Sequence, residues 1–533
     1  MGERHKNEQE LHDVIPISGM YESWFLDYAS YVILERAVPA VNDGLKPVQR
    51  RILHAMKEMD DGRYNKVANV IGSTMQYHPH GDASIADAIV NLGQKDLLID
   101  TQGNWGDIRT GDAAAAPRYI EARLSKFALE VLYNPQTTSW QLSYDGRKKE
   151  PVTFPVKFPL LLAQGVEGIA VGLSTKILPH NFCEILKGCI TTLKRKKVRL
   201  YPDFLTGGKV DVSEYNDGRR GGKVRIRATI EEIDKSTLAI RDIPYGTTTT
   251  SLIESIVKAN DKGKIRIRQV VDNTAADVEI LVSLNPGTSP NITVDALYAF
   301  TDCEVSISPN VCVIVDEKPQ FLGITDVLQQ SVDQTVSLLH QELEIEKAEL
   351  KEKIFFSNLL KIFIHEGMYK HPEYENSGDL QKCYEVLDSL FRPFFDHFYR
   401  EITNEDYKRL IDKPLSSITR FDTGKVEAQI KELQEQIEQV DHNLKHLIEF
   451  AIEHYQNLLD KYGQGKVRKT EITNFDNINV NIVAANNARL YVNRKDGFVG
   501  FGLKKNEFFC YCAEIDDVIV CTKDGKCVVA RIQ

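Results

Sequence analysis

The sequence has 533 residues, of which 66 are Lys or Arg and 76 are Asp or Glu, so its formal net charge is −10. A chain of this length is expected to form several domains rather than one core. The negative balance excludes a protein that binds nucleic acid over its whole surface. It leaves room for a local basic groove, because the electrostatic footprint depends on how charges cluster.

The cysteine spacing and the lack of long apolar segments indicate the cellular compartment of the protein. The nine cysteines form no CxxC pair and no metal-ligand spacing, which is typical of a reducing environment. The N-terminal stretch MGERHKNEQELHDV is polar and charged, and no later stretch is apolar for long enough to cross a bilayer. We therefore expect a cytoplasmic protein.

A cluster of basic residues lies in the first long motif, YASYVILERAVPAVNDGLKPVQRRILHAM. It places Arg36, Lys46, Arg50 and Arg51 within sixteen positions. Between residues 36 and 66 there are seven basic and four acidic side chains, so the local balance is positive and suits phosphate. A solvated helical face is the alternative for any one of these side chains.

The next motif predicts a helix-turn-helix. A helix over about 66–75 is followed by the breaker YHPHGD and by a second helix that opens near Asp82, the expected N-cap. Helical spacing turns one set of side chains inward and leaves a second set outward, where we expect the DNA major groove. The inward set is Ile85, Ala88, Ile89 and Leu92, and the outward set is Ser84, Asp87 and Asn91.

Two histidines, His78 and His80, flank Pro79 in the breaker. An imidazole there can hydrogen-bond a phosphate or relay a proton. The alternative is that both rings serve only as turn or capping groups.

The segment AAAAPRYIEARLSKFA places Arg118 directly before Tyr119, between an alanine run and a predicted amphipathic helix. Tyrosine can act as a covalent nucleophile, but its ordinary pKa of about 10 keeps it protonated at neutral pH. An adjacent guanidinium stabilises both the phenolate and the charge on a phosphorus centre under attack. The alternative is structural, because the chain holds 21 tyrosines.

A further motif, VEGIAVGLSTKILPHNF, contains Ile169, Ala170 and Val171. From the residues alone, these three form a short buried strand. The GLSTK portion lacks the glycine and lysine spacing of a phosphate-binding loop.

In the rest of the chain, the pattern of predicted secondary structure changes twice. Proline-punctuated sequence marks a boundary near residue 148, and mixed strand and helix patterns follow, with a basic strand edge at KGKIRIRQV. Two helical stripes, one from Val332 and one with heptad spacing from Val426 to Ala451, enclose an aromatic-rich insert and predict an antiparallel coiled coil. Past residue 466, RKDG and TKDG predict two hairpins spaced by 28 residues.

Together, the four motifs between residues 20 and 190 resemble, in order and spacing, the DNA breakage-reunion polypeptide of type IIA topoisomerases, which is the A subunit of bacterial gyrase and topoisomerase IV. The resemblance implies a multi-domain α+β fold. Its predicted parts are an N-terminal arm (1–25), a winged-helix domain (26–147), a tower (148–330), a coiled-coil helix (331–356), a helical gate knob (357–420), the returning helix (421–465) and an incomplete β-pinwheel (466–533).

The resemblance also implies residue roles. Tyr119 is the expected nucleophile, beside Arg118, and Ile169 is the expected wedge that enters a base step. The residues expected to line the scissile phosphate are Arg36, Lys46, Arg50, His78 and His80, and Ser84 and Asp87 belong to the recognition-helix face.

Two positions depart from the family pattern. Gln49 stands where many relatives have histidine in the Lys-Pro-Val-His-Arg-Arg string, so no proton-transfer role is carried over to it. Ala83 stands where quinolone-binding relatives usually have serine, whereas Asp87 is kept. We therefore expect weak quinolone sensitivity.

The implied partners are duplex DNA, a second copy of the chain and a B subunit, in an A2B2 heterotetramer. The sequence contains neither an ATP-binding fold nor an Asp-x-Asp triad for Mg²⁺. We therefore expect no metal site in this chain. The B subunit is expected to supply ATP hydrolysis and most of the Mg²⁺ site. The expected activity is relaxation and decatenation of DNA near the nucleoid.

Two alternatives stay open. Trp105 in QGNWG favours topoisomerase IV over gyrase, where phenylalanine is more usual, but the A subunit of gyrase remains possible. A non-enzymatic, DNA-bending coiled-coil protein also accounts for the basic cluster and the heptads, although it gives no reason for Arg118 to precede Tyr119.

Overall fold

The computed structural model describes residues 17–413, 423–476, 478, 488–503, 505–512, 516–521 and 524–532. The fold mixes α-helices and β-strands, as predicted, and divides into two compact units. The first comprises Met1–Val332 and Tyr455–Gln533, and the second comprises Asp333–His454. Among the described residues, no helix is both long and apolar enough to span a membrane.

The first unit opens with helices that carry the basic and histidine motifs. Both helices of the second motif are confirmed, but Gly81 rather than Asp82 is the N-cap of the second. The elements are α1 (Ile17–Val32), a π-helical turn (Ile33–Ala37), α2 (Pro47–Glu58), β1 (Asn65–Lys66), α3 (Val67–Thr74), α4 (Asp82–Gln94), β2 (Ile99–Gln102), β3 (Glu121–Leu124) and α5 (Lys126–Val131).

The helix predicted directly after Tyr119 is wrong. Residues Glu121–Leu124 form β3, the central strand of a sheet with the order β1-β3-β2. These residues have good helix propensity. In the structure, however, the Ala122 and Leu124 side chains are buried and alternate with the half-buried Glu121 and Arg123. Pairing with β1 on one edge and β2 on the other overrides the local helix preference.

The chain then forms two hairpins. β4 pairs with β5, and β6 pairs with β7 to form the hairpin that bears Ile169. The elements are β4 (Ser139–Leu142), β5 (Lys149–Thr153), α6 (Leu160–Gln164), β6 (Val166–Ile169), β7 (Ser174–Ile177), α7 (Phe182–Leu193), β8 (Lys209–Asp211), a 3-10 turn (Asn216–Gly218) and β9 (Val224–Arg227).

A separate apolar core lies between Ala228 and Cys303. It packs two helices on a four-stranded sheet of order β10-β11-β13-β12, so the basic segment KGKIRIRQV leads into an edge strand, as predicted. The elements are β10 (Ile230–Asp234), β11 (Thr237–Ile240), α8 (Thr249–Asp261), β12 (Ile267–Asp272), β13 (Ile280–Leu284) and α9 (Pro290–Phe300).

The largest core of the first unit runs from Leu45 to Val332 and includes Tyr455 and Leu458. Residues on both sides of position 148 contribute to it, so packing there is continuous, and the predicted domain limits stay a proposal. The later strands are β14 (Glu304–Ile307), β15 (Cys312–Val315) and β16 (Lys318–Phe321).

Two long helical segments and a helical insert make up most of the second unit. Leu343, Leu350, Leu433 and Val440 share one apolar cluster. Lys347 pairs with Asp441 and Lys361 pairs with Glu427, so the two helices run antiparallel, as the heptads predicted. The helices are α10 (Ile324–His365), α11 (Pro372–Glu375), α12 (Leu380–Phe391), α13 (Asn404–Ile411), α14 (Thr423–Lys445) and α15 (Leu447–Tyr462), with 3-10 turns at Met368–Lys370 and Arg392–His397.

Short strands follow the returning helix. β17 extends the sheet β14-β9-β8-β17, and the RKDG hairpin is confirmed between β18 and β19. β21 pairs with β22 around TKDG, of which Thr522 and Lys523 lie outside the described residues. The strands are β17 (Glu471–Ile472), β18 (Ala488–Asn493), β19 (Phe498–Gly500), β20 (Glu507–Cys512), β21 (Asp517–Cys521) and β22 (Cys527–Arg531).

Candidate active site

Tyr119 projects from a pinned piece of backbone. Its residue is 63% exposed, whereas the next residue, Ile120, is fully buried. The Val67 N–H donates to the Ile120 carbonyl at 3.0 Å, and the Ala68 N–H donates to the Pro117 carbonyl at 3.1 Å. These bonds fix the chain on both sides of Tyr119 against the start of α3, so the phenol points to solvent from a rigid base.

Arg118 lies against the face of the Tyr119 ring. Its guanidinium carbon is 4.6 Å from the ring centroid, within the range of a cation–π contact. Within the part of the chain that the structure describes, no side chain hydrogen-bonds the Tyr119 hydroxyl. The phenol is therefore accessible and has a permanent positive charge beside it.

The two predicted histidines form a contact cluster with residues that the sequence did not single out. The His78 and His80 rings are 5.1 Å apart, and the Tyr31 hydroxyl lies 2.6 Å from Nε2 of His80. Arg51 reaches Nδ1 of His78 at 3.4 Å and is itself held by Glu150 at 2.8 and 3.0 Å. No periodicity or spacing connects Tyr31 or Glu150 to this site in the sequence.

The environment of His78 determines its protonation state. Burial, followed by the charge of Arg51, lowers the pKa of His78 to about 4. Arg51 can only donate, so Nδ1 of a neutral His78 is assigned as the acceptor and Nε2 as the N–H. Arg36 is exposed, and its charge also lowers the pKa of His78, which places Arg36 near this cluster.

Arg50 does not face the solvent. It is 8% exposed, and its guanidinium donates to Asp43 at 2.6 and 2.8 Å. The same carboxylate accepts the backbone N–H groups of Leu45 and Phe154. Arg50 therefore stabilises the turn before α2. It is buried because it pairs with Asp43, an acidic residue that no sequence pattern connects to it.

Lys46 is directed to the hairpin that bears Ile169. Its Nζ donates to the Glu167 carbonyl at 2.6 Å, and burial lowers the pKa of the ammonium. Gln49, the departure from the family pattern, has a local role, because its Oε1 accepts the Lys46 backbone N–H and caps α2.

Ile169 is 82% exposed at the end of β6. The buried strand that its sequence also suggested is therefore excluded for this side chain. The hairpin is tied down from β7, where the Thr175 hydroxyl donates to the Cys312 carbonyl at 2.7 Å and the Lys176 N–H donates to the Asn310 carbonyl at 2.8 Å. A large apolar side chain thus stands in solvent on an anchored support.

The outward face of α4 is as predicted. Ser84, Asp87 and Asn91 are exposed, whereas Ile85, Ile89 and Leu92 are buried and Ala88 is half-buried. The Ser84 hydroxyl is engaged by the Gly81 carbonyl at 2.7 Å.

Contacts divide the predicted residues into groups. Arg118 and Tyr119 form one group, and Lys46 with the Ile169 hairpin forms another. The two histidines form a third, and the charge of Arg36 lowers the pKa of His78 in it. Within the described ranges, no hydrogen bond, ion pair or ring contact joins the Tyr119 side chain to the histidines. The same residues also include no group of three or more His, Cys, Asp or Glu side chains that could hold a metal ion.

Comparison with known proteins shows the family of this chain. A family model that describes the A subunit of DNA gyrase/topoisomerase IV matches residues 36–456. The chain is 42% identical over 499 residues to the A subunit of DNA topoisomerase 4 from Borreliella burgdorferi, covering 93% of this chain and 79% of that protein. The A subunit of DNA gyrase from Halalkalibacterium halodurans is 31% identical over 502 residues, and that from Staphylococcus aureus strain COL is 30% identical over 492 residues.

The chain therefore belongs to the family of DNA gyrase/topoisomerase IV A subunits, and the predicted class, a type IIA DNA topoisomerase, is confirmed. Within that class, the identity to the topoisomerase 4 protein exceeds the identity to the gyrase proteins, which favours the topoisomerase IV prediction. The matches cover 88% and 86% of this chain but only 58% and 54% of the two gyrase proteins.

Proposed function

We propose that this chain is the DNA breakage-reunion component of a topoisomerase IV that relaxes and decatenates duplex DNA. The observation that carries the proposal is an exposed Tyr119 phenol with the Arg118 guanidinium on its ring face. A phosphoryl-transfer nucleophile needs both an accessible oxygen and nearby positive charge, and this pair offers both.

The proposed step exchanges one phosphate ester for another. The Tyr119 oxygen forms a bond to the scissile phosphorus and gives up its proton. The bond from phosphorus to the 3′ oxygen breaks, and that oxygen leaves with a proton as a free 3′ hydroxyl. The 5′ phosphate stays on the tyrosine. Religation is the reverse, so neither step consumes a nucleotide.

The histidine cluster and Arg36 are proposed to hold the phosphate. A neutral His78 offers its Nε2 N–H to a non-bridging oxygen, and the exposed guanidinium of Arg36 adds charge that never titrates away. His80, in the same cluster, is proposed to contact the DNA backbone. Arg50 and Lys46 are proposed to position other parts of the site rather than to contact the phosphate. Arg50 supports the turn before α2, and Lys46 holds the hairpin that bears Ile169.

Ile169 is proposed to enter a base step and to bend the duplex. An apolar wedge unstacks neighbouring bases in exchange for a bend that brings more DNA against the protein. Ser84 and Asp87, on the exposed face of α4, are proposed to face the DNA major groove.

We also propose the family's domain organisation. In it, residues 26–147 form a winged helix, 148–330 a tower, 331–465 the coiled coil with its gate knob, and 466–533 part of a β-pinwheel. Strand pairing beyond residue 488 supports the last element, and the antiparallel helices support the coiled coil.

The proposed assembly is an A2B2 heterotetramer that acts on the chromosome in the cytoplasm. The described residues of this chain do not offer an acidic metal cluster, so the B subunit is proposed to hold most of the Mg²⁺ site and to hydrolyse ATP. Mg²⁺ supplies charge neutralisation at the scissile phosphate.

A cleavage assay tests the proposal. The chain is mixed with its B subunit, Mg²⁺ and end-labelled duplex, and the reaction is quenched with detergent. We expect a covalent DNA adduct that Tyr119→Phe abolishes. Tyr64→Phe is the matched control, because Arg123 lies 4.5 Å from that ring centroid in a similar pair. An adduct that survives Tyr119→Phe contradicts the proposal, and the absence of any adduct favours a DNA-bending protein.

A second assay separates the two enzymes of the family. With ATP and the B subunit, a topoisomerase IV relaxes supercoiled plasmid and unlinks catenated circles. Introduction of negative supercoils into relaxed plasmid would instead assign the chain to gyrase.

A further inference from the structure

A cavity of about 650 Å³ lies within the first unit, and Tyr119 is not among the residues that line it. Its wall includes the C-terminal end of α4, the end of α6 and the segments 203–206 and 245–248. Phe204 and Tyr245 stack in this wall with ring centroids 4.6 Å apart. Pockets of this size with aromatic walls are typical sites for small organic molecules.

Two buried polar side-chain atoms in the wall have no hydrogen-bond partner among the described residues. Gln164 is 6% exposed and its Nε2 is unpaired, and Thr206 is 8% exposed with an unpaired Oγ1. Native proteins pair nearly all such groups, and each exception calls for an explanation. Because Nε2 of Gln164 can only donate, the missing partner must accept a hydrogen bond.

A lysine in the same wall has no counterion in the part of the chain that the structure describes. Nζ of Lys95 donates to the carbonyl of Gly165 at 3.0 Å, and Gly165 directly follows Gln164 in the chain. No carboxylate among the described residues forms an ion pair with Lys95. Burial, together with the nearby charge of Lys46, lowers the pKa of Lys95 to about 8, as expected for a cation that lacks a negative neighbour.

The carboxylates of the wall are already engaged or lie at its exposed rim. Asp203 accepts the Asn181 side-chain amide and two backbone N–H groups, and Asp107 is held by Arg109 at 2.7 Å. Asp96 and Asp112 are exposed. None of the four therefore neutralises Lys95.

We propose that this cavity binds a small aromatic molecule that carries an anionic acceptor group, a carboxylate or a phosphate. Lys95 and Gln164 hold the acceptor group, and the wall that contains Phe204 and Tyr245 packs against the ring. The proposed ligand takes no part in the Tyr119 reaction, so this proposal does not depend on the proposed cleavage reaction.

Ligand-detected NMR and calorimetry on the full chain test the proposal, with benzoate and phenyl phosphate as probes. Benzyl alcohol has the same ring without the charge and serves as the control ligand. We expect at least one anion to bind, and benzyl alcohol to bind at least about tenfold more weakly. This comparison uses the unmodified protein, so it does not depend on how a variant folds.

Variants locate the site. Lys95→Gln and Gln164→Leu should each weaken anion binding about tenfold or more. Lys235→Gln, an exposed lysine outside the cavity wall, should leave binding unchanged. Binding that survives both wall substitutions overturns the proposal. Failure of both anions to bind the unmodified chain also overturns it and leaves a water-filled cavity.

Discussion

The Lys46 ammonium donates to the Glu167 carbonyl at 2.6 Å, across 121 positions of sequence. One residue further on, a Cβ built on Gly168 would lie 2.1 Å from the Ala37 carbonyl oxygen. The strand that bears Ile169 therefore rests directly on the segment that bears Arg36. In the proposed mechanism, the wedge that bends DNA and a cation that meets the phosphate move as one piece.

Gly168→Ala tests this contact. A methyl group at that position must push the hairpin away from Ala37, so we expect DNA bending and cleavage to fall at least about tenfold, with about 1–3 kcal/mol lost from the free energy of unfolding. Bending is measured by energy transfer between dyes at the duplex ends. Gly72→Ala is the control, because nothing lies within 4 Å of its added Cβ. Unchanged bending in Gly168→Ala would contradict the coupling.

Arg118→Ala tests the charge beside the nucleophile. Removal of one electrostatic stabiliser typically lowers a rate by about 10²–10³, so we expect a loss of this order in the cleavage rate with little change in DNA affinity. Arg118→Lys should restore part of the rate. The measurement is single-turnover adduct formation, with Arg147→Ala as the control. Equal losses of affinity and rate would assign Arg118 to binding alone.

Asp43→Asn tests the structural role of Arg50. The substitution leaves a buried guanidinium without its counterion, so we expect a loss of about 3–5 kcal/mol in the free energy of unfolding, measured by denaturant titration. Asp61→Asn, at an exposed pair with Arg63, should change stability by less than about 1 kcal/mol. A small effect of Asp43→Asn would show that Arg50 is free to serve the phosphate directly.

The pKa of His78 predicts a pH dependence of stability. Burial lowers that pKa from 6.5 in the unfolded chain to about 4 in the folded chain, so the unfolded chain binds the proton first as the pH falls. The free energy of unfolding should therefore decrease between pH 6.5 and 4, by about 1–2 kcal/mol at pH 5 from this residue.

Denaturant titration at pH 7.5 and 5 measures this effect. His180, whose pKa burial also lowers to about 4, contributes in the same direction. The test is therefore the difference between the unmodified chain and His78→Gln, which should lose less stability on acidification. Equal losses would show that His78 is protonated in the folded chain.

Ala83 predicts the response to quinolones. It is exposed at the start of α4, and the neighbouring Ser84 hydroxyl is engaged by the Gly81 carbonyl. We therefore expect weak drug-stabilised cleavage, which Ala83→Ser should increase about tenfold in a plasmid-linearisation assay. Typical quinolone potency against the unmodified enzyme would contradict the prediction.

Much of the site follows from adjacency in the chain. Arg118 and Tyr119 are neighbours in the sequence, so the presence of a guanidinium near the phenol could be predicted, and the inward and outward faces of α4 follow from helical periodicity. The hairpin at RKDG follows from the turn residues themselves. These features depend on a few neighbouring residues, so the sequence is sufficient to predict them.

Other features depend on distant partners. A strand replaces the helix expected after Tyr119, because β1 and β2 supply hydrogen bonds on both of its edges. Ile169 is exposed, as the wedge role implied and contrary to the buried strand that the residues alone suggested. Arg50, expected at the phosphate, is buried with Asp43.

The sequence by itself determined the family, predicted a nucleophile with a cationic neighbour, and predicted both helices of the second motif and the RKDG hairpin. Only the tertiary structure decided which side chains face solvent, which cations are neutralised internally and how the hairpin that bears Ile169 is held. The physical reason is that burial and ion pairing depend on groups brought together from far apart in the chain, as Lys46 and Glu167 are, and local spacing carries no record of those partners.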